Sequence, residues 1–312
     1  MQAPRQGARD DTEARASRRR NVGVRRRGSD GRKGGIDGGD ERVKAASPSL
    51  EWASFGEIRA LTDERLRAEC GVRVAFTARI GGVSAYPYAS LNLALHVGDE
   101  PSRVLRNRRR LCDSLGLSYP RLTCAEQVHG VRVTAVGEQE AGCGRESDET
   151  SLRGCDAMVT SMAGTPLVMF FADCVPIVLV DPSTRVAGVV HAGWKGVLGG
   201  VVEASVTSIQ HDYACDPKQI FAYIGPSIGP CCYRVDSERA DLFRAQFGEE
   251  NVSRDGRLDL AGLAKTTLDR LGLQTQNIAA AALCTADNND DFFSYRAAGG
   301  RTGRHSAVVC IE

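Results

Sequence analysis

Ala172-Asp-Cys-Val-Pro-Ile-Val-Leu-Val-Asp-Pro-Ser-Thr-Arg-Val-Ala-Gly-Val-Val-His-Ala-Gly-Trp194 contains two apolar runs either side of one turn. Asp181-Pro-Ser-Thr184 suits a four-residue loop built on a type I turn, because Asp bonds back to the backbone and Pro pre-sets φ. Closing the hairpin with Val180 opposite Arg185 sets Cys174 directly opposite His191. Opposed residues share a face with Cβ atoms about 4.5–5.5 Å apart, within reach of one metal ion or one proton. One face of the hairpin carries Val178, Val180, Ala187 and Val189; the other carries Ile177, Leu179, Val186 and Val190. Both faces are apolar, so the sheet is covered on both sides.

Outward from the hairpin, Val72–Thr77, Leu167–Phe171, Ile220–Ile224, Ile278–Leu283 and Ala307–Ile311 read as strands. A strand pair is expected around Gln127-Val-His-Gly130. Helices are expected over Ser102–Leu115, capped by Ser102 or Asp99 and ended by Gly116, over Val197–Gln210, and over Arg257–Leu271. Gly137–Asp156 reads as an excursion loop. Hairpins mixed with covered strands predict an α+β sandwich and argue against a doubly wound sheet.

The chain has 312 residues, 42% of them hydrophobic, and a formal net charge of +1. Residues 1–49 hold 13 Arg/Lys against 7 Asp/Glu, which leaves the remainder mildly acidic. That balance argues against the fold itself binding nucleic acid. The same 49 residues contain eight glycines and almost no large apolar side chains, the composition of a disordered basic tail. An inert tail and an arm that touches nucleic acid both remain open. Residues 50–312 then form the folded domain. Eleven cysteines at irregular spacing, without a signal peptide, read as free thiols in the cytoplasm. The most apolar stretch, Pro166–Val180, is too short to span a membrane and is interrupted by Asp173.

Only five histidines occur: His96, His129, His191, His211 and His305. The simplest ligand set adds His129 to Cys174 and His191, since two imidazoles and a thiolate suit zinc and leave a fourth position open. A Cys–His dyad and ordinary core packing are the alternatives. Lys195, with Gly193 and Gly196 at a helix entry, and Arg79, before Gly81-Gly82, are candidate anion binders. Phe292, Phe293 and Tyr295 with Arg296 could form a stacking face for a base. Asp173 adjoins Cys174 but points to the opposite face, which suits a supporting role. Ile224-Gly-Pro-Ser-Ile-Gly-Pro230 reads as a shaped loop over a site; Cys231 and Cys232 after it are metal-ligand candidates by type, yet their side chains would diverge on a strand.

These segments together resemble the YfiH-type family, the purine nucleoside phosphorylase group once labelled laccase-domain or multicopper polyphenol oxidase proteins. The resemblance is carried in order by Arg79–Ser84, Ala89–Asp99, Asn107–Leu111, Gln127–Gly130, Ala172–Pro176, His191–Trp194, Ile224–Tyr233, Phe292–Arg296 and Thr302–Arg304. It implies a single-domain α/β/β/α sandwich with mixed sheets and a zinc held by His129, Cys174 and His191, with Cys174 and His191 also catalytic. It further implies phosphorolysis of adenosine, inosine and methylthioadenosine, together with adenosine deamination. Arg79, Asn92, Lys195 and Arg296 are then expected to contact nucleoside and phosphate. Copper is a second candidate metal, although five histidines without a His-x-His pair do not suit a multicopper centre. A metal-free Cys–His hydrolase acting on peptidoglycan precursors is the other alternative. The family usually has an acidic residue where this chain has Arg234, with Asp236 the nearest substitute on the same strand face.

Overall fold

The computed structural model describes residues 47–312; residues 1–46, which hold nearly all of the expected basic tail, lie outside the described residues. Among the described residues, twelve strands and six α-helices run in the order β1 (Glu51–Phe55), β2 (Ile58–Thr62), α1 (Glu64–Cys70), β3 (Val72–Thr77), α2 (Pro101–Leu115), β4 (Thr123–Cys124) and β5 (Val133–Ala135). They continue with β6 (Ala157–Thr160), β7 (Leu167–Phe171), β8 (Val175–Asp181), β9 (Val186–Ala192), α3 (Trp194–Gly199), α4 (Val201–Tyr213), β10 (Phe221–Ile224), α5 (Ser237–Phe247), α6 (Leu260–Arg270), β11 (Ile278–Ala280) and β12 (His305–Ile311). The strands form two six-stranded sheets, β1-β2-β3-β12-β7-β4 and β11-β10-β8-β9-β6-β5. Both are mixed: β4 runs parallel to β7, and β10–β11 and β5–β6 are parallel pairs among antiparallel neighbours.

The two sheets face each other across one apolar layer. Val178, Val180, Ala187 and Val189 of the β8–β9 hairpin meet Phe76, Met169, Phe171 and Val309 of the other sheet. The opposite face of the hairpin, with Ile177, Leu179 and Val190, is covered by Val202, Val206 and Ile209 of α4, Phe243 of α5 and Leu263 of α6. On the far side Leu111, Cys112 and Leu115 of α2 cover Val168, Phe170 and Val308. Each buried aliphatic or aromatic side chain contributes about 1.5–3 kcal/mol, so three apolar layers explain why neither hairpin face is polar. The result is the expected α/β/β/α sandwich.

Several local expectations differ. Asp181 pairs with Val186, and the four loop residues are Pro182–Arg185. The Asp181 carboxylate accepts from the Ser183 and Thr184 backbone N–H groups, at 2.9 and 3.3 Å, while Arg185 takes up φ +54°. Asp181 therefore stays in the ladder while also capping the turn. The two-residue change in register keeps every face assignment, because side chains alternate with period two. Helix α2 starts on Pro101 with no side-chain cap, since Pro at the first position is pre-set for the helix; Gly116, at φ +69°, ends it as expected. The helix after β9 breaks at Gly200, whose φ of +88° is left-handed, giving α3 and α4.

Candidate active site

The chain crosses from one sheet to the other between β7 and β8, and Ala172-Asp173-Cys174 makes that crossing. Asp173 sits at φ +89°, a conformation that strains a non-glycine residue. It is held there by bonds to its carboxylate from Thr285 Oγ1 and the Arg296 backbone N–H, each at 2.7 Å. Asp173 thus lies on no strand, and instead of pointing away from Cys174 as expected it lines the same cavity, because the crossing between the sheets breaks the alternation of faces. Cys174 stands just beyond the last ladder pair, Val175 with Ala192, and His191 opposes Pro176. Cys174 is thus diagonal to His191 on one face, not directly opposite it.

No strand forms at Gln127–Gly130. The Gln127 side-chain amide instead takes the place of a backbone partner on β7, accepting from Phe170 N–H at 2.8 Å and donating to Phe170 C=O at 2.9 Å. The following loop is held by Asp156. Its fully buried carboxylate accepts from the backbone N–H groups of Val128, His129 and Gly130 at 3.2, 2.9 and 2.7 Å. The same carboxylate lies 2.8 Å from His191 Nδ1. A carboxylate facing Nδ1 accepts the hydrogen bond from Nδ1–H and so turns Nε2 toward the thiol. Asp156 therefore orients both histidines. Nothing in the sequence marked it, because a single acid at a loop-to-strand junction has no periodic signature.

His129 Nε2 lies 3.8 Å from Cys174 Sγ, and the donor atoms of His129, Cys174 and His191 all fall within 4.8 Å of one another. Tetrahedral zinc with Zn–S of about 2.3 Å and Zn–N of about 2.0–2.1 Å separates such donors by roughly 3.6 Å. The spacing and the donor set fit one metal ion. Gly193 makes the room: a Cβ there would lie 2.7 Å from His129 Cδ2 and 3.1 Å from Cys174 Sγ. Burial pushes the Cys174 thiol up, but the His191 and His129 imidazoles outweigh it and bring it down to about 6. His191 shows the converse: burial lowers it, and the Cys174 sulfur and Asp156 carboxylate raise it to about 9.

The trio lies in a cavity of about 440 Å³, also lined by His96, Gln127, Asp173, Ile228, Tyr233, Tyr295, Arg296 and Arg304. Ile228 comes from the glycine-proline loop, which does form part of the wall. Arg296 leans over the Tyr233 ring at 5.3 Å and Arg304 over Tyr295 at 5.7 Å, so two cations share one wall. Of the four expected substrate contacts, only Arg296 lines the cavity. Arg79 donates to Ala89 C=O at 3.0 Å and Asn289 C=O at 2.7 Å and lies over Phe293, which makes it a clamp between loops. Asn92 is fully buried and accepts from the Arg304 backbone N–H at 2.9 Å, so it acts on the cavity through Arg304. Lys195 is exposed beside Trp194 and away from the cavity. Phe292 and Phe293 are fully buried, leaving Tyr295 as the available ring of that segment. Arg234 is exposed outside the cavity, and Asp236 lies on no strand: it caps α5 by accepting from Arg239 N–H at 2.8 Å.

A histidine-cysteine-histidine cluster at the crossing of two mixed sheets defines a recognisable class. Residues 73–312 match the family described as multi-copper polyphenol oxidoreductase laccase, and the chain belongs to that family. Purine nucleoside phosphorylase YlmD of Geobacillus stearothermophilus is 38% identical over 246 residues, which cover 77% of this chain and 90% of that protein. The crystal structure of YlmD from the same organism has a TM-score of 0.79 at 35% identity, covering 85% of this chain and 100% of that one. Hypothetical protein YfiH of Bacillus licheniformis gives a TM-score of 0.77 at 32% identity, covering 81% and 96%. Among the described residues no helix is long and apolar enough to cross a membrane.

Proposed function

We propose that this chain is a zinc-dependent purine nucleoside phosphorylase for adenosine, inosine and methylthioadenosine that also deaminates adenosine. One observation carries the reading: two imidazoles and a thiol converge at the base of the same cavity that holds Arg296 and Arg304. A volume near 440 Å³ suits a nucleoside-sized ligand. His129, Cys174 and His191 would hold the ion, and zinc in such a site supplies Lewis acidity and lowers the pKa of bound water to about 7. The Arg296 and Arg304 guanidinium groups on the cavity wall neutralise phosphate charge. Tyr295 offers an exposed ring face to the purine. Asp173 fixes the Arg296 backbone, and Asn92 fixes that of Arg304, so both cations start from held positions.

A second reading has its own support. The thiol held near 6 between two imidazoles is the signature of an activated cysteine nucleophile, which suits a metal-free Cys–His hydrolase acting on peptidoglycan precursors. One experiment separates the two. Purified protein is incubated with adenosine, with and without phosphate, before and after metal removal, and again as Cys174→Ala. Adenine and ribose 1-phosphate formed only with phosphate and metal support phosphorolysis, and inosine formed without phosphate supports deamination. Full turnover by metal-free protein sinks the zinc assignment, and no product under any condition sinks the nucleoside assignment.

A further inference from the structure

Beside the cavity, at a rim made by the loops that carry Ile228, Tyr233 and Arg296 to its wall, the donor atoms of Cys231, Cys232, Cys284 and Asp287 also lie within 4.8 Å of one another, and Cys231 and Cys284 line a separate hollow of about 320 Å³. Cys231 and Cys232 are not on a strand. They occupy the turn after Pro230, in which the N–H groups of Cys232 and Tyr233 both donate to Gly229 C=O, at 3.0 and 2.9 Å. In a turn their side chains need not diverge. Across from them Asn288 N–H donates to Cys284 C=O at 2.9 Å, closing a helical turn that brings Asp287 to the side of Cys284. The two segments are pinned together by Ser227 N–H to Leu283 C=O at 3.2 Å and Thr285 N–H to Ser227 C=O at 3.0 Å. Backbone bonds therefore position all four donors before any ligand arrives.

The composition of the cluster points to its ligand. All three thiols are free, and Cys232 Sγ donates to Asp287 Oδ1 at 3.0 Å. Among the described residues no lysine or arginine pairs with Asp287. Three sulfurs and a carboxylate facing one point, without a cation, match the soft-plus-hard donor mix that zinc accepts. Zn–S bonds of about 2.3 Å separate sulfurs by roughly 3.8 Å in a tetrahedron, a small contraction from the present spread. Gly229 gives the clearance, since a Cβ there would stand 3.2 Å from Cys231 Sγ and 3.3 Å from Cys284 Cβ.

We propose that Cys231, Cys232, Cys284 and Asp287 form a second, structural site for a thiophilic divalent cation, zinc, which staples the two loops that wall the cavity. Four protein ligands close the coordination shell, the mark of a structural site, and binding releases the three thiol protons to solvent. One stapled loop supplies Ile228 and Tyr233 to the cavity; the other leads to Tyr295 and Arg296. Arg296 Nη1 donates to Cys232 C=O at 2.9 Å, so the staple also fixes one wall cation. The site stands apart from the catalytic reading and does not depend on it.

The test is a zinc count by elemental analysis on full-length protein loaded with zinc and then dialysed. Wild type is expected to retain about two ions per chain, one for each cluster. His129→Ala/Cys174→Ala is expected to keep about one, and Cys231→Ser/Cys284→Ser to keep the other. Zinc is also expected to raise the melting temperature of His129→Ala/Cys174→Ala. Should the serine variant fail to fold, the wild-type and His129→Ala/Cys174→Ala counts still decide. A wild-type count of one that vanishes in His129→Ala/Cys174→Ala overturns the proposal. So does mass spectrometry showing a disulfide among Cys231, Cys232 and Cys284 in the zinc-loaded protein.

Discussion

The described residues hold two thiol-bearing clusters, one inside the cavity and one on the loops that wall it, and they are supported in opposite ways. At the base, Cys174 and His191 sit at the ends of β8 and β9, and one buried carboxylate, Asp156, holds His191 and the loop of His129 together. At the rim, Cys231, Cys232, Cys284 and Asp287 hang on two loops joined by a few backbone bonds. The base cluster mixes nitrogen and sulfur and offers three donors, so a fourth position stays open for substrate or water; the rim cluster offers four and closes itself. Strand ends and a buried carboxylate fix the base, whereas at the rim backbone bonds set the donors and a bound ion would lock the two loops together. The same element, sulfur, thus serves two purposes according to what surrounds it.

The largest effect that could break this contrast is at the base. His191→Ala should abolish metal retention by the trio and lower phosphorolysis by several kcal/mol, on the order of 10³-fold, because Lewis-acid stabilisation is lost. The rim ion should remain, so the elemental count falls by about one and not two. Undiminished turnover by His191→Ala would remove the base cluster from catalysis altogether. Asp156→Asn comes next. It keeps the shape but loses the charge that fixes the His191 tautomer, and metal affinity should weaken by about 10–100-fold. Chelator competition measures it, and an affinity equal to wild type would show that Asp156 only shapes the loop.

The contrast also marks what was legible in the residues. The hairpin faces followed from the alternation of Val178, Val180, Ala187 and Val189 with Ile177, Leu179 and Val190, because a covered sheet needs both faces apolar. A two-residue error in register left Cys174 and His191 on one face, since parity survives such a shift. Asp156 and Arg304 were not found as site residues. Each reaches the cavity through contacts far along the chain, Asp156 to His191 and Arg304 by way of Asn92. No local period records such contacts. Cys231 and Cys232 are visible as a pair of ligand candidates, but their convergence depends on a turn that the residues alone do not reveal, and Cys284 and Asp287 have no spacing that joins them to it. Helix α5 and the β1–β2–α1 segment also escaped: α5 buries only Ala240 and Phe243, and β1 is an edge strand with no buried residue, so neither carries a strong period.

Two glycines allow a matched comparison of smaller effects. Gly193→Ala places a methyl 2.7 Å from His129 Cδ2, inside van der Waals contact, and His129 is exposed enough to swing away. The fold should hold while affinity at the base falls about tenfold, the lower end of what a displaced ligand support costs. Gly229→Ala meets Cys231 Sγ at 3.2 Å and should loosen only the rim ion. Competition with a chromogenic chelator resolves the two. If Gly229→Ala weakened the base and Gly193→Ala the rim, the clusters would not be independent.

The smallest difference lies in thiol reactivity of metal-free protein. Cys174 is held down to about 6 despite its burial, chiefly by His191, while the Asp287 carboxylate holds Cys232 up to about 11. At pH 8 the Cys174 thiol is therefore almost wholly ionised, and only about one part in 10³ of Cys232 is. Thiolate reactivity falls with pKa along a Brønsted slope of about 0.4–0.5, which returns roughly two powers of ten to Cys232 and leaves Cys174 ahead by only about three- to tenfold toward an aromatic disulfide. Lowering the pH through about 6 protonates Cys174 and cuts its rate about tenfold per unit, while raising the pH from 8 accelerates Cys232 alone until about 11. Site-resolved labelling followed by peptide mass spectrometry reads both curves. If Cys174 gains rate tenfold per unit between pH 7 and 9, its thiol has an ordinary pKa, and the two imidazoles do not act on it as the geometry requires.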